Sequence, residues 1–66
     1  MARATVHTFA TDSGWVNQRS RAGAIRTVYR TRAEAQRAGQ EIARRDRTEH
    51  VVHATDGKVL ARSSFA

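Results

Sequence analysis

The feature that most constrains this chain is a helix pattern followed almost at once by a hairpin pattern, in residues 31–62. Thr31 and Glu34 have the spacing of a capping box, in which a Thr hydroxyl accepts a hydrogen bond from the amide three residues later. Small and apolar residues then recur at helical spacing: Ala35, Ala38, Gly39, Ile42 and Ala43. The pattern predicts one amphipathic helix whose narrow face of small residues packs closely on a sheet.

The hairpin pattern that follows predicts both a register and a buried face. Asp56-Gly57 is a preferred central pair for a two-residue type I′ loop. Such a loop places Thr55 opposite Lys58, Ala54 opposite Val59 and Val52 opposite Ala61. We therefore expect Val52, Ala54, Val59 and Ala61 to meet the helix, with Ala38, Gly39 and Ile42 buried against Val52 and Val59. Residues 63–66 have no pattern and are expected to fray.

The first half of the chain predicts three more strands. Residues 3–10 and 15–19 flank the turn residues 12–14, which predicts a hairpin, and residues 24–30 alternate cleanly. The element order is β-β-β-α-β-β, which predicts one α+β domain over residues 1–66. A mostly antiparallel sheet with one helix on one face satisfies this order. It leaves open whether the fourth strand pairs with the first or the third.

The same residues carry a family resemblance over nearly the whole chain. They are Gly14-Trp15, Thr31-x-x-Glu34-Ala35, Ala38-Gly39, Ile42-Ala43-Arg44, Thr48-Glu49-x-Val51-Val52-His53, Asp56-Gly57-Lys58-Val59 and Ser63-Ser64-Phe65. This spacing resembles the small bacterial family called domain of unknown function 2188. The resemblance implies a β-rich sheet-plus-helix domain and carries no assigned activity. Asn17 is a departure, because members typically have an aliphatic residue two positions after the Trp, and it bears on the packing of the second strand.

Charge is the strongest compositional signal. The chain has 12 Lys plus Arg against 6 Asp plus Glu, a net charge of +6, and Lys58 is its single lysine. Residues 1–32 contain six Arg and only Asp12 as an acid, whereas residues 33–66 have six cations and five acids. A genome rich in Arg codons would explain the Arg-to-Lys ratio but not this uneven distribution. The excess lies mainly between Arg19 and Arg32.

The residues indicate neither a metal site nor an enzyme. His50 and His53 lie three apart on a predicted strand, so they point to opposite faces and cannot chelate one ion, and His7 adds no carboxylate. The chain has no cysteine, phosphate-binding loop, dinucleotide glycine pattern or nucleophile elbow. We therefore expect no cofactor, no metal and no catalysis. The lack of a long apolar run predicts a cytoplasmic protein without a membrane partner.

Two functions remain. The first is a basic accessory protein that binds the phosphate backbone of DNA or RNA with little sequence specificity. Its predicted contacts are Arg19, Arg21, Arg26, Arg30 and Arg32. Phe9, Trp15 and Tyr29 are expected in the core, although one of them on the open sheet face would serve as a stacking platform.

The second function is a protein-interaction or self-assembly module, forming a homodimer at micromolar concentration through an edge strand or through the face carrying Val28, Val51 and Leu60.

Overall fold

The computed structural model describes residues 4–19 and 27–66, which form one five-stranded sheet and one helix. The elements are β1 (Val6–Thr11), β2 (Gly14–Arg19), β3 (Val28–Tyr29), α1 (Arg32–Asp46), β4 (Glu49–His53) and β5 (Val59–Ser64). The predicted order β-β-β-α-β-β is confirmed. Residue 3 of the predicted first strand and residues 24–26 of the predicted third strand lie outside the described residues.

The strand order in the sheet is β3-β2-β1-β4-β5, which settles the position of the fourth strand. β4 pairs with β1, and the two run parallel, with Val6 opposite His50 and Thr8 opposite Val52. The other three strand pairs are antiparallel. Because α1 packs against β1, β2 and β4, the helix covers the middle of the sheet.

α1 begins and ends with well-formed caps. The Thr31 side chain accepts from the Glu34 amide at 3.2 Å, as the capping box predicts, and the Thr31 hydroxyl in turn donates to the Glu34 carboxylate at 3.3 Å. At the other end Arg47 has φ 54° and ψ 54°, the left-handed conformation. The amides of Arg47 and Thr48 donate to the carbonyls of Arg44 and Ala43, at 3.2 and 3.0 Å. This is the Schellman pattern that terminates a helix.

The helix face that meets the sheet consists of small residues. Ala35, Gly39 and Ala43 are buried, whereas Ala38 and Ile42 are half-buried. Ile42 lines a small cavity beside Val6 and Arg19. The prediction that Val59 packs beneath this helix is wrong, because Val59 is 53% exposed. Val52 is buried as expected.

The β4–β5 turn explains why Val59 lies elsewhere. The Gly57 amide donates to the Ala54 carbonyl and the Ala54 amide to the Lys58 carbonyl, so Ala54, and not Thr55, opposes Lys58. A type I′ loop needs positive φ at both central residues. Gly57 has a positive φ of 91°, but Asp56 does not have a positive φ, since Arg47 is the one non-glycine residue with positive φ within the described ranges. Asp56-Gly57 therefore does not form a type I′ loop. The loop therefore has three residues and ends in a left-handed glycine.

The longer loop shifts the register of the hairpin. Val52 still opposes Ala61, as predicted, but an irregularity follows and His53 opposes Val59. The predicted pairing of Ala54 with Val59 is therefore wrong. Leu60 is the extra residue of this bulge, and a bulge reverses the inward and outward alternation on either side of it. The predicted apolar face of Val52, Ala54, Val59 and Ala61 consequently does not form as a unit.

The C-terminal tail is paired and not frayed. β5 extends through Ser64, which opposes Glu49, and the Phe65 amide donates to the Thr48 carbonyl at 3.1 Å. The Phe65 ring is half-buried, and the Arg44 guanidinium lies 5.8 Å from its centroid. The tail thus closes over the end of α1. In the described part of the chain no helix is long and apolar enough to cross a membrane.

Replacing Arg47 by Gly should stabilise the protein by about 0.5–1 kcal/mol. The left-handed conformation costs a residue with a side chain roughly 1–2 kcal/mol, which exceeds the extra chain entropy that glycine loses on folding. Chemical denaturation of Arg47→Gly against the parent measures the change. Arg45→Gly is the matched control, since it also removes one exposed arginine near the helix end but lies within α1. It should destabilise by about 1 kcal/mol. Loss of stability in both variants would contradict the assigned helix end.

Candidate functional site

The two faces of the sheet carry different chemistry. Side chains alternate along each strand, and residues paired across strands share a face. Thr8 contacts both Asn17 and His50 on the helix side, where Asn17 also bonds to α1. Their neighbours His7 and His53 therefore lie on the face opposite α1, where they also contact each other. The helix side is the interior of the domain, and the opposite face holds an open pocket.

Beneath α1 the core contains a polar network. Thr8, Asn17 and His50 are 0%, 3% and 1% exposed. The Asn17 amide nitrogen donates to the Ala35 carbonyl of α1 at 2.8 Å, which turns its carbonyl oxygen towards Thr8. The Thr8 hydroxyl donates to that oxygen, and its contact with His50 Nε2 measures 2.6 Å. Because the hydroxyl has one proton and has already donated it, Nε2 must carry hydrogen and donate to Thr8.

Gly39 is the residue that makes room for this network. A Cβ atom at position 39 would lie 2.5 Å from Asn17 Oδ1, 2.7 Å from His50 Nε2 and 2.9 Å from Thr8 Oγ1. These distances are shorter than any ordinary contact of a methyl group with nitrogen or oxygen. The expected close approach of the helix backbone to the sheet is therefore correct, and polar side chains, more than apolar ones, lie directly under the glycine.

Burial disfavours the charged form of His50. Loss of solvent lowers the pKa of His50 below its ordinary value of 6.5, and His7 on the other face lowers it further. An unfolded chain would take up a proton at His50 near pH 6.5, whereas the folded chain takes it up only at lower pH. The folded state thus binds fewer protons in this range, so His50 makes stability fall as the pH drops below about 6.5.

The network accounts for Asn17, which departs from the aliphatic residue that the resemblance leads one to expect. An aliphatic side chain there could neither accept from Thr8 nor donate to Ala35. In the sequence, a polar residue inside a strand together with a glycine inside a helix was the signal that indicated a buried polar contact under the helix. His50 carried no such signal, because a lone histidine on a strand is equally consistent with a surface position.

On the opposite face His7 and His53 form a stacked pair. Their ring centroids are 5.2 Å apart with an interplanar angle of 25°, and His7 Nδ1 lies 3.0 Å from His53 Nε2. His53 Nδ1 lies 3.1 Å from the Gly57 carbonyl, which can only accept, so that nitrogen is protonated. In the neutral pair His7 Nδ1 consequently donates to His53 Nε2. Burial lowers the pKa of His7, and the nearby His53 and Arg62 lower it further, so the neutral form of His7 is favoured.

The histidine pair borders an open pocket of about 540 Å³. Its walls come from β1, β2, the end of β4 and the following turn: His7, Phe9, Ala10, Gln18, His53, Ala54, Thr55 and Gly57. Small-molecule sites commonly have volumes of ~300–1,000 Å³. The volume of this pocket is therefore within the range of small-molecule sites.

The histidines do not converge on a metal. His50 and His53 lie on opposite faces, which confirms the expectation from their spacing. Only His7 and His53 meet, and a hydrogen bond joins their facing nitrogens. Among residues 4–19 and 27–66 there is no group of three or more His, Cys, Asp or Glu able to hold an ion.

The predicted phosphate-binding arginines differ in their surroundings. Arg19 is half-buried and forms an ion pair with Asp46 at 2.9 Å, so its charge is already matched. Its Nε is buried, and no residue within 4–19 or 27–66 is its hydrogen-bond partner. Arg30 and Arg32 are exposed, on either side of the helix cap at Thr31. Arg21 and Arg26 lie outside the described residues. Their common role in binding stays a prediction.

The fold is that of a small mixed-sheet α+β domain with one covering helix and a polar core. The sequence model of a bacterial family described as "Uncharacterized protein conserved in bacteria (DUF2188)" matches residues 6–65. The chain belongs to this family, which confirms the resemblance. No curated protein matches the chain, and no solved structure does either.

Gly39→Ala tests whether the network needs this glycine. Alanine is the better helix former by about 1 kcal/mol, so at an open helical position the change would stabilise the protein. Here the new methyl group collides with three buried polar atoms, and we expect a net loss of about 1–3 kcal/mol in the free energy of unfolding. Thermal and denaturant unfolding measure it.

A double-mutant cycle provides the control. Asn17→Ala alone should destabilise, because it leaves Thr8 and the Ala35 carbonyl without their partner. It also removes the atom nearest to the new methyl group. The combined Gly39→Ala and Asn17→Ala variant should therefore lose less stability than the sum of the two single changes. Strict additivity, or a stabilising Gly39→Ala, would show that the helix does not rest on the network.

Proposed function

We propose that this protein binds nucleic acid through the phosphate backbone, with little sequence specificity. The observation that carries the proposal is the uneven charge: residues 1–32 contain six arginines and one acid. The sequence pI of about 11.6 has the same implication. Polyanions attract such a surface by releasing condensed counterions, an effect that does not depend on base sequence.

The exposed arginines around the start of α1 support this proposal. Arg30 and Arg32 are exposed, and in the described part of the chain neither forms an ion pair. They are continuous in sequence with Arg21 and Arg26, and no acid occurs between residues 13 and 33. The pairing of Arg19 with Asp46 removes one of the five predicted contacts, which leaves four cations for phosphate. Guanidinium groups suit this role because they bind phosphate oxygens in a bidentate manner.

The salt dependence of binding tests the proposal. With about four phosphate contacts, a plot of log K against log salt concentration for duplex DNA should have a slope near −3.6, from roughly −0.9 per contact. Changing Arg30 and Arg32 together to Gln should make the slope shallower by about 1.8. Fluorescence anisotropy with labelled DNA over a salt series measures both values, and unrelated sequences should bind with similar affinity.

The matched control is the pair Arg37→Gln and Arg45→Gln. It removes the same charge from exposed positions on α1, in the half of the chain where acids are interspersed. Its slope should stay close to that of the parent. An equal effect of both pairs would mean that binding follows net charge alone. If neither DNA nor RNA binds at low salt, the proposal is wrong.

The second candidate is a protein-interaction or self-assembly module, and the edge strand β5 favours it. β5 is six residues long, pairs on one side with β4, and carries the half-exposed side chains Val59 and Leu60. Such an edge can accept another strand. Val51, which was expected on the same available surface, is only 3% exposed and cannot contribute. Light scattering at micromolar concentration separates a homodimer from a monomer.

A further inference from the structure

The pocket on the face opposite α1 has walls of two kinds. Phe9, Ala10 and Ala54 give it apolar area, and the half-buried Phe9 ring provides an aromatic wall. The imidazoles of His7 and His53 supply two more planar rings. The Gln18 side chain adds an amide with both donor and acceptor groups. This composition fits a flat, neutral ligand that has hydrogen-bonding edges.

The described residues that line the pocket carry no carboxylate and no permanent cation. The charged groups described near it lie at its border. Asp56 is in the adjoining turn, where its carboxylate accepts from the Lys58 amide at 3.0 Å. The exposed Arg62 opposes Val51, the strand neighbour of His7, and is close enough to act on that histidine electrostatically. A ligand with a neutral ring and an attached anionic group would therefore place the ring inside and the anion near Arg62.

A nucleotide within a strand has this division of charge. Its base is planar, neutral and bordered by donors and acceptors, while its phosphate is anionic. Single-stranded nucleic acid is bound in general by aromatic side chains that stack on bases beside cations that follow the backbone. In a duplex the bases are paired and stacked, and cannot enter such a pocket without being extruded.

We propose that the pocket formed by His7, Phe9, Gln18, His53 and the β4–β5 turn receives an unpaired nucleobase. The protein accordingly binds single-stranded nucleic acid more tightly than duplex DNA, which it contacts through phosphates alone. This inference rests on the proposed function, since backbone contacts by the arginines supply the attraction that brings the strand to the sheet. The base adds a contact that phosphates alone do not make.

The experiment compares an intact strand with a strand that has no bases. A labelled oligothymidylate of about 16 nucleotides, the upper end of single-domain site sizes, and an abasic strand of equal length carry the same phosphates. The parent protein should bind the intact strand about tenfold more tightly at the same low salt concentration. Duplex DNA of the same length should bind like the abasic strand or more weakly.

The variants assign that difference to the pocket. Phe9→Ala should abolish the preference for the intact strand and leave binding to the abasic strand unchanged, whereas Phe9→Tyr keeps a ring and should retain it. Val28→Ala is the matched control, since Val28 lies on the same face but outside the pocket. If Phe9→Ala does not fold, Gln18→Ala replaces it, and circular dichroism verifies each variant.

The possible failures are distinguishable. Equal binding of intact and abasic strands by the parent overturns the base pocket while the backbone proposal stands. Equal weakening of both strands by Phe9→Ala also overturns it, because Phe9 would then not contact a base. If no strand binds at all, the backbone proposal fails and this inference fails with it.

Discussion

The structure depends on one buried interaction, the hydrogen-bonded set of Thr8, Asn17 and His50 under Gly39. It joins β1, β2 and β4, and through the Ala35 carbonyl it also joins α1. Buried polar groups are costly when a partner is missing, by about 1–3 kcal/mol each, so the set is stable only as a whole. In a chain of 66 residues without cysteine, these bonds specify which strands are neighbours and how closely the helix lies on them.

The same interaction determines the character of the opposite face. Side chains alternate along a strand, so a shift of one residue would move every side chain to the other side. With Thr8 and His50 held under the helix, His7, Phe9 and His53 must face away from it. The stacked histidines and the pocket beside them are thus a consequence of the core. The arrangement links the interior of the domain to the surface proposed to contact nucleic acid.

Much of the fold was predictable because local signals were strong. The capping box at Thr31, the turn at residues 12–14 and the alternation in the strands identified the order of elements, and the family followed from the same residues. Which side chains of the last hairpin face the helix was not predictable from the sequence. Asp56-Gly57 is compatible with both a two-residue and a three-residue loop, and the choice between them decides whether Val59 points inward.

The candidate site was harder to predict than the fold. The arginine excess is visible in composition, but the ion pair of Arg19 with Asp46 joins residues far apart in sequence. The contacts of His50 with Thr8 and of His7 with His53 depend on the parallel pairing of β1 and β4, which the element order left open. Histidines placed by long-range strand pairing therefore could not be assigned to a core or to a pocket from their spacing alone.

The state of His50 tests the central role of the network most directly. Nitrogen-15 NMR of the imidazole distinguishes its two neutral tautomers from the charged form. We predict that Nε2 carries the proton and donates to Thr8, and that His50 stays mainly neutral at pH 6.5, where an ordinary histidine is half protonated. A proton on Nδ1 of the neutral ring, or half protonation of His50 at pH 6.5, would contradict the hydrogen-bonded network on which this structure depends.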